Sequence, residues 1–237
     1  MLRGAVVSWA LLSCGLLACT QARAQVSGSV AVVSDHRFRG ASLSDGRPAL
    51  QLALAWERGD GWYAGVFASS ARLSAHADLQ LLSYVGYARR LHNGSSWEAG
   101  AEYTAFHRHS AGNYPELYVG LAAERISGRL YYAPRYFSED DAVAYAELDA
   151  DKPLDERWRL FGHLGLLRRL RHGEAEAGEG AQRTRIDARV GIGAAFGKFD
   201  LQLARVASDG SRGRYSGYPV AAGDDAGAWV LSLSRAW

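Results

Sequence analysis

Cysteine is nearly absent: the 237-residue sequence holds two, Cys14 and Cys19, both close to its start. From residue 20 onward the chain therefore excludes a disulfide framework and any thiolate metal site. Long hydrophobic runs are missing as well. Beyond the first two dozen residues no stretch of 18 apolar residues occurs, which excludes a transmembrane helix, and no segment follows the helical period. An excess of one charge is also lacking. The first 24 residues carry Arg3 and Arg23 and no acid, so the remainder sets 25 basic against 25 acidic residues. A neutral chain with scattered basic residues offers no electrostatic footprint for nucleic acid.

What stands at the start is a short apolar run from Ala5 to Ala18 after a single Arg, ending near Ala22-Arg23-Ala24. The run is too short to span a bilayer, and the small-x-small pattern is one that a signal peptidase reads. The expectation is a signal peptide over 1–24 and one β-barrel domain over 25–237. Leu16-Leu17-Ala18-Cys19 partly resembles a lipoprotein cleavage box, so lipidation at Cys19 is the alternative processing.

About twelve segments of roughly 8 to 13 residues follow, rich in Leu, Val, Tyr, Trp and Ala and separated by Gly, Asp, Asn and Ser. Their period is two. Leu50, Leu52, Leu54 and Trp56 alternate with Gln51, Ala53, Ala55 and Glu57. Ile186, Ala188, Val190, Ile192, Ala194 and Phe196 alternate with Arg185, Asp187, Arg189, Gly191 and Gly193. Trp97, Ala99, Ala101 and Tyr103 oppose Glu98, Gly100 and Glu102, while Leu117, Val119 and Leu121 oppose Glu116, Tyr118, Gly120 and Glu124. A soluble sandwich would turn those charges to water and pack the apolar face on a second sheet. A membrane barrel would turn them to its lumen.

Two further patterns favour the barrel. Connections alternate in length: Arg58 to Gly61, His92 to Ser96, Ile126 to Gly128, Asp151 to Asp155 and Gly197 to Lys198 are short. Those around Gly40 to Arg47, Ala71 to Ala77, His107 to Asn113, Ser138 to Asp141, Leu170 to Ala181 and Ser208 to Asp225 are mostly longer and more polar, as outer loops facing short periplasmic turns would be. Aromatic residues crowd the ends beside the short turns, namely Trp56, Trp62, Tyr63, Tyr87, Trp97, Trp158, Phe196 and Phe199, as rings at a membrane interface do. In the last segment Trp229, Leu231, Leu233 and Trp237 occupy alternate positions, an apolar alternation of the kind the barrel-assembly machinery recognises. The expected surroundings are outer-membrane lipid and lipopolysaccharide.

Several stretches resemble an uncharacterised bacterial family of outer-membrane porins called TorF or Gcw. They are 33–40, reading Val-Ser-Asp-His-Arg-Phe-Arg-Gly, with Ser44 to Gly46 and Pro48-Ala49-Leu50-Gln51; Gly61-Trp62-Tyr63-Ala64-Gly65-Val66 with Ala68-Ser69; Tyr114-Pro115-Glu116-Leu117-Tyr118; and Tyr131-Tyr132-Ala133-Pro134-Arg135-Tyr136-Phe137. The resemblance implies an all-β transmembrane antiparallel barrel of about a dozen strands and a porin role. The last third of the chain matches in pattern alone.

Asp35, Arg37 and Arg39 alternate past Val30 and Val32, so they read as one lumen-facing row of the first strand, either a charged constriction or an ion-pair network that fills a narrow bore. Glu98, Glu102, Arg135, Glu147, Arg159, His163, Arg185, Asp187 and Arg189 read as further pore-lining residues. Both signs are present, which implies weak ion selectivity. Lipid exposure is excluded for most of them, since an Arg at the bilayer midplane costs roughly 2 to 4 kcal/mol. His107-Arg108-His109 offers two imidazoles without a third ligand, so no metal site is expected. The acidic pairs and triplets Glu139-Asp140-Asp141 and Asp224-Asp225 could share divalent cations with lipopolysaccharide phosphates, or be solvated loop tips. Ser69, Ser83 and His163 are the available parts of a hydrolase, and no spacing joins them, so neither an enzyme nor a cofactor is expected. The functional expectation is a porin-like channel; the alternative is a non-conducting structural, receptor or adhesin barrel.

Overall fold

The computed structural model describes residues 24–73, 76–137, 142–170, 184–209 and 227–237. The leader segment 1–23, the acidic groups Glu139-Asp140-Asp141 and Asp224-Asp225, and most of the loops 171–183 and 210–226 lie outside the described residues.

The alternating segments form β1 (Gln25–Val33), two short strands β2 (Arg37–Phe38) and β3 (Ala41–Ser42), then β4 (Ala49–Glu57), β5 (Trp62–Leu73), β6 (His76–Arg90), β7 (Ser96–Phe106), β8 (Tyr114–Ala122), β9 (Ile126–Ala133), β10 (Val143–Pro153), β11 (Trp158–Arg169), β12 (Thr184–Phe196), β13 (Phe199–Ser208) and β14 (Ala228–Ala236). A 3-10 turn at Ser110–Gly112 precedes β8. All pairing is antiparallel. Twelve strands close into a barrel in the order β1-β14-β13-β12-β11-β10-β9-β8-β7-β6-β5-β4, and β2 and β3 pair apart from it.

Period two decides which face each side chain takes. In β4, Leu50, Leu52 and Leu54 point outward, about half exposed (52%, 49% and 48%), while Gln51 is buried. The same outward apolar face recurs on every strand, with Leu117, Leu121, Leu148, Leu164, Val190 and Leu231 among its exposed members. Among the described residues no second layer covers it. An apolar surface of this extent is untenable in water and natural in lipid, so the barrel form prevails over the sandwich.

Five turns share one end of the barrel: 58–61, 91–95, 123–125, 154–157 and 197–198. We call this the turn end and the other the loop end. Trp56, Trp62, Trp97, Trp158, Phe196 and Phe199 ring the turn end on the outside. Tyr63 does not join them, because its parity in β5 sends it inward, where it is buried.

Three connections depart from expectation. β5 runs to Leu73 and β6 resumes at His76, with Leu73 opposite His76, so 71–73 and 76–77 are strand rather than parts of a long loop. Ile126 to Gly128 belongs to β9, its turn lying at 123–125, and β10 continues through Pro153 before turning at 154–157. In each case the ladder extends as far as partner backbone remains available. The barrel seam is its shortest ladder, pairing Ser29–Val33 with Ala236–Ser232. Beyond it Trp237 N donates to Gly28 O (3.0 Å), and Gly28 N donates to Trp237 O (3.3 Å).

Candidate functional site: a lumen crossed by an inward hairpin

β1 does not continue into Asp35, Arg37 and Arg39. Its ladder ends at Val33, with one last bond from Ser34 N to Leu231 O, and the chain then folds into the barrel. β2 and β3 form a hairpin whose two turn residues, Arg39 (φ 47) and Gly40 (φ 79), both have positive φ, as a type I′ turn requires. Gly serves at the second position. Arg at the first costs roughly 1 to 2 kcal/mol, which the contacts of its guanidinium must offset.

Those contacts lie across the lumen. Arg39 pairs with the buried Glu116 of β8 at 2.8 Å and lies over the rings of Tyr145 (4.3 Å), Tyr131 (5.3 Å) and Phe38 (4.8 Å). A Cβ on Gly40 would stand 2.7 Å from Asp187 Cβ on β12 and 2.8 Å from Ser208 Cβ on β13, so the tip also touches the wall at these two strands.

The base of the hairpin is tied down by Asp35. It accepts from Arg37 Nε (2.6 Å), Ser42 Oγ (2.5 Å) and Ser44 Oγ (3.0 Å). His36, in the loop between β1 and β2, is buried; its Nε2 donates to Gln80 Oε1 (2.6 Å) and its Nδ1 accepts from Gln51 Nε2 (3.1 Å). That arrangement holds the neutral ring, and burial pushes its pKa down to about 4 despite Gln80 and Asp35.

Above the hairpin, toward the loop end, the lumen is filled with an apolar core. Leu43, Leu73 and Leu167 are fully buried there. Phe106 stacks on Phe137 at 5.8 Å, and Tyr114 packs against Tyr136 at 4.7 Å and Phe137 at 4.9 Å.

Below it lies a hollow of about 190 Å³ to which all twelve barrel strands contribute. Its charged lining is Arg37, Arg39, Arg129 and Arg189 with Asp35, Glu102, Glu147 and Asp187, together with His163. Arg129 bridges Glu98 (2.5 Å) and Glu147 (3.8 Å). His163 Nδ1 lies 2.9 Å from Asp149 Oδ1 and its Nε2 3.2 Å from Asp187 Oδ1. Tyr145 OH reaches the same Asp187 at 3.2 Å, and Tyr131 OH donates to Glu147 at 2.9 Å. Glu147, Asp149 and His163 are close enough for one ion to touch all three, yet the hydrogen bonds above already account for His163.

Thus eight of the twelve expected lining residues, Asp35, Arg37, Arg39, Glu102, Glu147, His163, Asp187 and Arg189, face this hollow. Glu98 lies nearer the turn end, bonded to Arg129 and to Tyr63 OH (2.7 Å), and Arg159 holds Asp200 through both guanidinium nitrogens (2.6 and 3.0 Å). Arg185 is buried near the loop end, where it donates to Ser208 Oγ at 3.1 Å. Arg135 is a correction: Pro134, without an N–H for the ladder, follows the last residue of β9, and Arg135 is exposed in the loop beyond. His109 is tied to Asp78 (2.7 Å), and Ser69 and Ser83 fall on opposite faces of the wall.

The sequence reading missed Arg129, Asp149 and the tyrosines 63, 84, 118, 131 and 145. Parity could have found them, since Arg129 and Tyr131 alternate with the outward Leu130 and Tyr132. The tyrosines lie flat because glycines lie behind them: a Cβ on Gly100 would collide with Tyr118, and one on Gly165 with Tyr145. Tyr63 and Tyr118 join hydroxyl to hydroxyl at 2.8 Å.

A closed twelve-stranded antiparallel barrel, apolar outside and charged within, is the architecture of outer-membrane porins. Two solved structures share it: a NanC porin at 12% identity and TM-score 0.56, covering 89% of this chain and 99% of the other, and a KdgM porin at 10% and 0.54, covering 88% and 98%. The chain belongs to the family described as bacterial protein of unknown function (Gcw_chp), whose model matches residues 18–237. No curated protein matches it.

Proposed function

We propose that the chain is exported by a cleaved signal peptide over 1–24 and inserted in the bacterial outer membrane, its turn end in the periplasm, as a narrow channel for passive diffusion of ions or small polar solutes. The observation that carries this reading is the hollow at mid-height, lined from all twelve strands by four guanidinium groups and four carboxylates. A packed structural barrel has no use for such a space, whereas larger barrels enclose cavities and channels. The inward hairpin is the constriction, with Arg37 and Arg39 setting its charge. We assign recognition by the barrel-assembly machinery to the outward row Trp229, Leu231, Leu233 and Trp237.

A non-conducting receptor, adhesin or structural barrel is the second reading, favoured by the aromatic core that fills the loop end. Single-channel recording in a planar bilayer separates the two. Expected for the channel are small current steps and a reversal potential near zero in a salt gradient, because the lining charges balance. Replacing Arg37 and Arg39 by Ser should raise conductance several-fold and shift selectivity toward cations, since Asp35 and Glu116 lose their guanidinium partners. Folded, heat-modifiable protein that passes no current in either form would overturn the channel.

A further inference from the structure

The charged groups lining the hollow are ion-paired except two among the described residues: Glu102, whose side chain bonds to another carboxylate, Glu116, and Arg189. Arg189 makes no hydrogen bond or ion pair with any of them, and its Nε is buried without a partner. The Phe161 ring lies 5.4 Å from its guanidinium carbon. A buried charged donor without an acceptor is costly unless something from outside the chain supplies one.

The surroundings specify what that acceptor can be. Arg189 stands opposite His163 on the β11–β12 ladder and two residues from Asp187 on its own strand. Asp149, Glu147 and Asp187 already act on it electrostatically. Carboxylates therefore stand near its charge, although none of them accepts its hydrogen bonds. A further carboxylate entering beside these three would be repelled, and an ammonium group would meet Arg129 and Arg189 themselves. A neutral oxygen acceptor meets neither penalty.

The remaining wall supplies the rest of a recognition surface. Tyr118 and Tyr145 line the hollow as well, each backed by a glycine, Gly100 and Gly165, and overlain by a guanidinium, Arg129 at 5.9 Å and Arg39 at 4.3 Å. Tyrosine rings, carboxylates and planar guanidinium groups around one small space suit a ring that is apolar on its C–H face and studded with hydroxyls at its edge. A hollow of about 190 Å³ is of the order of one such ring.

We infer that the hollow is a binding site for a neutral, polyhydroxylated ring solute of monosaccharide size, with Arg189 donating to its hydroxyl oxygens. The inference deepens the channel reading, and it is tested by binding so that the two can fail separately. Folded protein in detergent is dialysed to equilibrium against labelled glucose, galacturonate or glucosamine. Glucose should bind at least about tenfold more tightly than either charged sugar, and Arg189→Gln should weaken it about tenfold, the loss of one charge-assisted hydrogen bond. Arg189→Lys, which keeps the charge but not the planar fork, should weaken it nearly as much. Preference for a charged sugar, no glucose uptake at high millimolar concentration, or unchanged binding in both variants would overturn the inference. Should the variants fail to fold, the ranking of the three sugars on the unaltered protein decides. Absence of current alongside glucose binding would sink the channel and keep the site.

Discussion

Two arcs of the barrel wall, one of eight strands and one of four, are built from different side chains. From β5 to β12 the inward positions carry tyrosines, glutamates and arginines: Tyr63, Glu98, Glu102, Tyr118, Arg129 and Tyr131 and onward to Arg189. From β13 through β14 and β1 to β4 they are mostly small: Ala204, Ser232, Ser234, Ser29, Ala31 and Ala53 line the same hollow. Apart from Arg189, the long side chains lock into hydrogen-bonded pairs and leave little room, while the short ones leave the space. Free volume therefore lies against the thin wall, and recognition chemistry lies on the thick one. The hairpin springs from the thin wall at β1 and reaches the thick one at Glu116, which divides the lumen.

The thin wall also contains the seam, and the largest expected effect follows from that. The Trp237 ring covers Gly28, and its residue adds two backbone bonds to a ladder of five residue pairs. Trp237→Ala should reduce the heat-modifiable fraction in isolated outer membranes several-fold, whereas Tyr131→Ala in the thick wall should leave it near normal. Equal losses in both would erase the distinction.

Next in size is the effect of filling the thin wall. Ala31 faces the hollow opposite Ser234, and Ala31→Trp should cut single-channel conductance about five- to tenfold in a protein that still folds. If free volume ran along the thick wall instead, conductance would stay unchanged.

Gly40 probes the junction of the two walls. A Cβ there meets both Asp187 and Ser208, and its φ of 79 disfavours any L side chain, so Gly40→Val should dislodge the tip and raise conductance about two- to threefold. Protection of the hairpin amides from hydrogen exchange should fall with it.

The smallest effect is a pH response at the hairpin base. His36 is held neutral by burial, with its pKa lowered to about 4 against about 6.5 for an exposed ring. Because the folded value is the lower one, its contribution is complete above about pH 6.5. It is lost progressively as pH falls toward 4, since the unfolded or released loop takes up the proton first. Hairpin amide exchange should quicken over that window, and His36→Asn should flatten the response. A response of equal size in His36→Asn would assign it to another group.

How far the sequence could be read depended on whether neighbours along the chain carried the information. Alternation is local, so the outward rows of Leu50, Leu52 and Leu54 and of Leu231 and Leu233 are legible, and with them the twelve-stranded class and the inward place of Glu102, His163 and Asp187. Asp35, Arg37 and Arg39 alternate just as well, yet they belong to a hairpin. The alternation does not register that the seam and the β1–β4 ladder stop at Val33, nor that Arg39 can take a positive φ when Glu116, 77 residues away, receives its guanidinium. Arg135 was misplaced because parity carries no strand length, which Pro134 cuts short.

By itself, then, the sequence determined the barrel and the polarity of its two faces, because a period of two against lipid admits one arrangement of inside and outside. Tertiary structure alone decided which inward charges neutralise one another and which are left over. Strand pairing brings Arg129 to Glu98 across β8, closing the sheet brings Arg39 to Glu116 across the lumen, and Glu102 and Arg189 are left facing the hollow with no ion pair among the described residues. Pairing of this kind depends on distances between residues far apart in the chain, which no local pattern encodes.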